Sequence, residues 1–328
     1  MKAVQLIGYG DAVENLEVRD VPEPPQPSPG EVLVGVEYAP INFNDLMVPW
    51  GVFPLRPNPP ATIGNEGAGV VLALGEGVRS VAVGDRVVLP PLLASVPTYQ
   101  QRLNVPASDV VVVPPDTDPQ QASMMGINPV SAELLLTEYV ALKAGDAVVF
   151  NSATSGLSHW LITLAKERGI KSIGFVRKVS DVVTVTDRGC DFVIVDDEPL
   201  DEVAKKLEGL NIPLGLDVLG GPSAGRVAQI LTPGGKLVVY GGVTLKPMEL
   251  SSLAIIGKRL TVEAYFQSYP DLYVKTNEAL NKLVKHLGPK GPTQPVAAVY
   301  PLDRVKDAVA HAVTGTKVLL HFDGAAGR

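Results

Sequence analysis

Apolar and polar positions along this chain follow two different rhythms, and the change comes near residue 119. Before it, short runs such as EVLVGVEYA (31–39) and GDRVVLP (84–90) alternate at period two. Turn signals such as PSPG (27–30) and GEG (75–77) separate them. Period two puts every second side chain on one face, so this region predicts short strands in a β-rich domain.

After it, QQASMMG (120–126) and SAELLLTEYV (131–140) have helical spacing, with Pro129 between them. Then apolar runs alternate with amphipathic ones: DAVVF, HWLITLAKERG, KSIGFV, DFVIV, DEVAKKLEGL, LGLDVLG, SAGRVAQIL, GKLVVYGG and RLTVEAYF. Apolar strands bounded by glycine, with helices between them, predict a parallel sheet covered on both faces. EALNKLVKHL (278–287) predicts one more helix. The tail PVAAVYPLDRVKDAVAHAVTGTKVLLHF (295–322) predicts strand, helix, strand, in the texture of the first region. The expected class is α/β. A Rossmann-type, doubly wound parallel sheet at 119–287 is inserted into a β-rich domain made of 1–118 and 288–328.

Composition narrows the function classes. The chain has 328 residues, 46% of them hydrophobic, enough for two cores and against disorder. A net charge of −7, mixed along the chain, argues against a nucleic-acid or anionic-membrane surface. The single Cys190 excludes an internal disulfide and any four-cysteine zinc site. The four histidines (159, 286, 311 and 321) have no metal-ligand spacing. The N-terminal segment has neither the apolar core of a secretory signal nor the Arg-rich, acid-poor character of a transit peptide. No run reaches the roughly 18–20 apolar residues of a membrane span. The expectation is a soluble protein, cytoplasmic or in the mitochondrial matrix as a mature chain.

Candidate chemistry centres on NSATSGLSHW (151–160), between a predicted strand and a predicted helix. Small residues there let a backbone approach a ligand, and the helix N-terminus offers free N–H groups to an anion. Gly156 is alone where a fingerprint loop carries two or three glycines, so an ordinary tight turn is the competing reading. Arg177, followed by Lys178, lies 21 residues after Gly156, at the end of the second strand. An acid at that point suits the ribose 2′-hydroxyl of NAD, whereas a base suits the 2′-phosphate of NADP. A solvated base is the alternative role for Arg177. Loop and base together favour NADPH. Ser155 lacks the G-x-S-x-G context of a hydrolase nucleophile. His159 opens the helix, as a surface residue or against a phosphate.

PSPGEVLV (27–34), INFND (41–45), GNEGAGVV (64–71), GDRV (84–87), the loop at 151–158 and YGGV (240–243) together resemble the medium-chain dehydrogenase/reductase superfamily. The resemblance covers essentially the whole chain and identifies the β-rich domain as GroES-like. Zinc alcohol dehydrogenases have Cys and His where this chain has Asn42 and Asn65; Asn is a poor zinc ligand. The resemblance therefore implies a reductase without metal, with Glu66 as a structural hydrogen-bonding group. GNEG, GINP (126–129), the loop, FVR, VLGG (218–221) and YGG are more similar to mitochondrial-type trans-2-enoyl thioester reductases. INF-x-D and GDRVV are shared with quinone oxidoreductases.

By that resemblance, Asn128, Ser131, Thr154, Ser155, Gly156, Leu157, Arg177, Lys178, Tyr240, Gly241, Gly242 and Phe266 line an NADPH site. Asn42, Asp45 and Tyr265 join the catalytic region. The implied reaction is hydride transfer to the β-carbon of an enoyl-CoA or enoyl carrier-protein thioester, with an enolate oxygen to stabilise and a proton to supply. The family's usual donor is a Tyr in a G-x-Y loop; counting from INFND puts Phe53 there, in WGVFPL (50–55). Phe cannot donate a proton. Water or Tyr265 would then serve, with packing as the alternative role for Tyr265; or the substrate differs, as in an NADPH:quinone or enone reductase; or the chain is a catalytically weakened NADPH-binding protein. Lys275, Lys282 and Lys285, with Lys246 or Arg259, are candidates for the phosphates of a CoA or carrier-protein arm, or simply solvated. Relatives of this kind are commonly homodimers, and RLTVEAYF (259–266) is a candidate edge.

Overall fold

The computed structural model of the chain describes residues 1–91, 96–288 and 292–323. They form two compact units, Met1–Val130 with Val274–Arg328, and Ser131–Tyr273. Along the chain the first unit supplies strands β1 (Lys2–Leu6), β2 (Leu16–Asp20), β3 (Glu31–Ile41), β4 (Ala61–Thr62), β5 (Gly67–Leu74), β6 (Arg86–Leu89), β7 (Arg102–Pro106) and β8 (Val111–Val112). The second supplies β9 (Ala147–Phe150), β10 (Lys171–Val176), β11 (Phe192–Val195), β12 (Leu214–Asp217), β13 (Lys236–Val239) and β14 (Thr261–Ala264). The chain then returns to the first unit with β15 (Ala298–Pro301) and β16 (Val318–His321). The α/β class expected from the sequence is what the chain adopts.

In the first unit the main sheet runs β15-β16-β3-β5-β6-β8, with β7 also paired to β3; a small sheet runs β2-β1-β4. The long strand β3 organises the core. Its period-two residues Val32, Val34 and Val36 are fully buried against Leu6, Leu89, Leu103 and Phe322. Two register shifts against β5, at Leu33/Val34 and Val36/Tyr38, interrupt the ladder and bend β3. Antiparallel pairing of β16 with β3 ends at Val318 opposite Ile41. That register sets Lys317 beside Asn42, which a separation of 275 residues along the chain conceals.

In the second unit all six strands are parallel, in the order β11-β10-β9-β12-β13-β14. The residues of β9 are buried throughout, which explains its unbroken apolar run. Strand order reverses between β9 and β12, and that switch point opens a crevice beyond their carboxyl ends. Among the described residues β14 has no partner on its outer side, and most of its residues are exposed.

Two elements differ from their expected spans. Pro129 lies inside the helix Asn128–Thr137 rather than before it. In the first turn its missing N–H has no intrahelical acceptor to lose. The helix expected at 278–287 begins earlier, spanning Pro270–Leu283, and tightens to a 3₁₀ turn at Val284–His286. Among the described residues no helix is long and apolar enough to cross a membrane, and no cluster of three His, Cys, Asp or Glu could hold a metal.

Candidate active site

In the second unit, NSATSGLSHW leaves the end of β9 and enters the helix Gly156–Glu167. The loop manages with one glycine in two ways. Ser152 itself takes a left-handed conformation, φ 54°, at a position glycine would occupy without strain. Ser158, where a third small residue belongs, is fully buried and donates from Oγ to the Ser152 carbonyl at 3.0 Å. Ser155 caps the helix, accepting from the Ser158 N–H at 3.2 Å.

Those bonds leave the Thr154, Gly156 and Leu157 N–H groups without a protein acceptor among the described residues. Leu157 buries its side chain while Thr154 is exposed. The Ala153 N–H donates to the Phe175 carbonyl at 3.0 Å, which draws the loop toward the end of β10, two residues before Arg177. Arg177 and Lys178 are both exposed, and neither has an ion-pair partner among the described residues. Free N–H groups at a helix start, with unpaired bases just after the next strand, fit a 2′-phosphorylated dinucleotide.

Sequence reasoning missed the polar network beneath this loop. Asn151 and Asp217 are fully buried at the ends of β9 and β12. Asn151 Nδ2 donates to Asp217 Oδ1 at 2.5 Å and to Ser223 Oγ at 3.2 Å, while Asn151 Oδ1 accepts from the Val218 N–H at 3.0 Å. Asp217 also accepts from the Leu219 and Gly220 N–H groups, at 3.2 Å each. Burial pushes its carboxyl upward, opposed by these donors. The pair therefore fixes both sides of the switch point. Arg188 braces the loop as well, donating to the Thr154 carbonyl at 2.9 Å. His159 is half-buried rather than on the surface. Both ring nitrogens are shut from water without a partner among the described residues, and burial lowers its pKa, helped by Arg188.

The other cofactor candidates of this unit sit as follows. The Tyr240 hydroxyl is closed from water, its pKa raised by burial and then by the Asp217 charge. A Cβ on Gly241 would lie 2.6 Å from a Val218 methyl, whereas one on Gly242 would meet nothing within 4 Å, so Gly242 faces open space. Phe266 packs edge-on to Tyr269 with centroids 5.7 Å apart. Tyr265 is buried, and its hydroxyl donates to Ser131 Oγ at 2.9 Å; Ser131 donates onward to Gln267 Oε1 at 3.4 Å. Burial raises the Tyr265 pKa.

The first unit holds a closed cluster of charges. INFND ends β3 and starts the short helix Phe43–Met47, with Asn42 at its N-cap. The Asn42 N–H donates to Asp45 Oδ2 at 2.8 Å, and Asn65 Nδ2 donates to Asp45 Oδ1 at 2.7 Å. Asn42 Nδ2 donates to Glu66 Oε1 at 2.7 Å; the Ile127 N–H donates to Glu66 Oε2 at 2.8 Å. A side chain on Gly126 would meet the Pro90 Cα at 2.9 Å and Glu66 Oε2 at 3.2 Å, so glycine is what lets that N–H approach. Gly64, at φ 109°, passes against the Tyr99 ring where a Cβ would lie 2.3 Å from it. Lys317 Nζ donates to Asn42 Oδ1.

Asp45 and Glu66 are 2% and 0% exposed. Burial pushes Glu66 up to about 7 and Asp45 up to about 6, against the pull of Lys317 and of their hydrogen bonds. Desolvation lowers Lys317, with both carboxylates opposing. Both asparagine amides donate to carboxylates. Asn42, Asn65, Asp45 and Glu66 are thus joined, with Lys317 as a member the sequence did not reveal. Phe53 is half-buried and packs on this unit's core. Asn128, in the helix after Gly126, is half-buried.

Residues 28–149 match the alcohol dehydrogenase GroES-like domain family. The mitochondrial enoyl-(acyl-carrier-protein) reductase of Rattus norvegicus is 31% identical over 274 residues, 82% of this chain and 73% of its own. Among solved structures, Escherichia coli quinone oxidoreductase complexed with NADPH aligns with a TM-score of 0.86 at 23% identity, over 98% of this chain and all of that one. The complex of Etr1p with NADP and crotonyl-CoA aligns with a TM-score of 0.83 at 22% identity, over 98% and 99%. At these identities the two alignments establish the fold.

Proposed function

The chain belongs to the family of the mitochondrial enoyl-(acyl-carrier-protein) reductases, in the medium-chain dehydrogenase/reductase superfamily, and on that premise we propose that it is an oxidoreductase that uses NADPH to reduce the C=C bond of a 2-enoyl thioester. The observation that carries the reading is the anion-ready loop: the unpaired N–H groups of Thr154, Gly156 and Leu157, with the unpaired bases Arg177 and Lys178 just after the neighbouring strand. The N–H groups would take the pyrophosphate and the bases the 2′-phosphate. Asn128, Ser131, Tyr240, Gly241, Gly242 and Phe266 would line the rest of the dinucleotide. NADPH bound there supplies the hydride.

In this reading the Rossmann-type region of 119–287, which contains the second unit Ser131–Tyr273, is the cofactor domain, and the GroES-like region of 1–118 and 288–328 is the substrate domain. A thioester oxygen gaining negative charge needs donors, and Phe53 has none. The Asn42 amide is the donor we assign to it, with Asp45 fixing the turn that carries Asn42. Tyr265, its hydroxyl ordered by Ser131, is the proton source we assign. The acyl group rides on CoA or on an acyl carrier protein. The unpaired edge β14 and the exposed Leu253 and Ile256 in the helix before it support a homodimer.

Purified protein mixed with NADPH and crotonyl-CoA or 2-hexenoyl-CoA should consume NADPH, followed by its absorbance. No turnover at any acyl length refutes the reading. Turnover of a quinone alone moves the assignment to an NADPH:quinone reductase. Cofactor binding without oxidation by any acceptor makes the chain a non-catalytic NADPH-binding protein.

A further inference from the structure

The Lys317 carbonyl accepts from the Ala297 N–H at 2.8 Å, but its ammonium adds nothing to the packing of β16. The strand residues after it, Val318, Leu319 and Leu320, are fully buried, and apolar side chains alone would hold β16 to β3. Lys317 nevertheless turns its ammonium inward onto Asn42 Oδ1, where desolvation lowers its pKa. Burying an ammonium is costly unless charges or hydrogen bonds compensate it, and here Glu66 and Asp45 do.

The consequence falls on Asn42. Its oxygen accepts from Lys317, and one Nδ2 hydrogen goes to Glu66 at 2.7 Å. A carboxamide with a cation at its oxygen and a carboxylate at its nitrogen cannot flip, because a flip would set donor against donor and oxygen against oxygen. Nδ2 carries two hydrogens, and Glu66 is its one acceptor among the described residues. Asn42 is 8% exposed, so bulk water competes little for its amide.

We propose that Lys317 is a positioning residue: by locking the Asn42 amide between itself and Glu66, it aims the second Nδ2 hydrogen at a carbonyl oxygen of the substrate. This rests on the assignment of Asn42 as the oxyanion donor made above. The ammonium acts through Asn42 and touches no reacting atom. It also polarises the amide, since a cation at Oδ1 makes the N–H a better donor.

The test is a double-mutant cycle on Asn42→Ala and Lys317→Met, in the intact chain, with NADPH and crotonyl-CoA. Asn42→Ala should lower kcat by about 100-fold, the loss of one oxyanion donor. Lys317→Met should lower kcat at least about tenfold and leave the KM for NADPH unchanged, and the double variant should be no slower than Asn42→Ala. Lys317→Arg keeps the cation and should recover most of kcat. Should Lys317→Met fail to fold, Lys317→Arg and Lys317→Gln replace it, with Gln slow and Arg active.

A second readout needs no turnover. Calorimetric binding of crotonyl-CoA to the NADP⁺-loaded protein should weaken in both single variants, less in Lys317→Met than in Asn42→Ala, and in the double no further than in Asn42→Ala. A wild type that binds crotonyl-CoA without reducing it overturns the catalytic reading and leaves this measurement to decide on Lys317. Losses that multiply in the double variant, or a Lys317→Met enzyme within twofold of wild type, overturn the proposal. So does a wild type that does not bind the thioester at all.

Discussion

Replacing Glu66 by Gln removes one titrating group from a fully closed site, and the structure sets both the sign and the size of the effect. Burial raises Glu66 from its usual 4.5 to about 7. The folded state therefore holds a proton that the unfolded chain releases between those values. Stability from this group is fully present below 4.5 and is lost as pH rises through 7. A shift of this size corresponds to about 3 kcal/mol, most of it falling between pH 5 and 8.

Glu66→Gln has no such slope. Its cost is constant instead. Asn42 Nδ2 and the Ile127 N–H are both donors, so the new amide group must face one of them, at about 1–3 kcal/mol. The variant should be less stable than wild type at pH 5, and the difference should move in its favour by about 2–3 kcal/mol by pH 8. His159 pulls the other way below 6.5 and Asp45 in the same direction as Glu66, but both proteins share them. Urea melts at stepped pH, read from Trp50 of this unit with Trp160→Phe in both proteins, measure the gap. Parallel pH profiles would show that Glu66 is ionised in the folded state throughout, and the reasoning would fall.

Arg177→Ala should weaken NADPH binding about 10–100-fold, the range for a hydrogen bond between charged groups, and leave NADH binding unchanged, as fluorescence titration would show. Equal losses for both cofactors would remove Arg177 from the 2′-phosphate. Ser152→Gly should stay within about 0.5 kcal/mol of wild type and Ser152→Val should cost about 2 kcal/mol in urea melts, because only the left-handed backbone distinguishes them. Phe53→Tyr should raise kcat by orders of magnitude if a missing hydroxyl limits the enzyme; an unchanged rate assigns the proton to another group. On the proposed homodimer, wild type should sediment as a dimer and Val262→Asp on β14 as a monomer, and equal masses would acquit that edge.

Much of the architecture was legible because hydrophobic periodicity is a local property. Period two gave the β-rich ends, and the wholly apolar AVVF of β9 marked a strand covered on both faces. Helix boundaries were less legible. The sequence pattern treated Pro129 as a break, whereas helix geometry admits proline in a first turn. In the loop 151–158, residue sizes announced a close approach of backbone. They did not announce that Ser152 adopts the left-handed conformation or that Ser158 bonds back to it.

The sequence by itself determined the class of the fold, the order of its elements, and the position of the small-residue loop after β9 with the base that follows β10. These depend on residues within about twenty positions of one another, and short-range spacing records them. Tertiary structure alone decided which charges share a closed space. The pairing of β16 with β3 puts Lys317 on Asn42, and the switch point puts Asp217 on Asn151. Each pair joins residues far apart in the chain. A buried charge is tolerable only beside its partner, and no pattern along the sequence says which strand will bring that partner in.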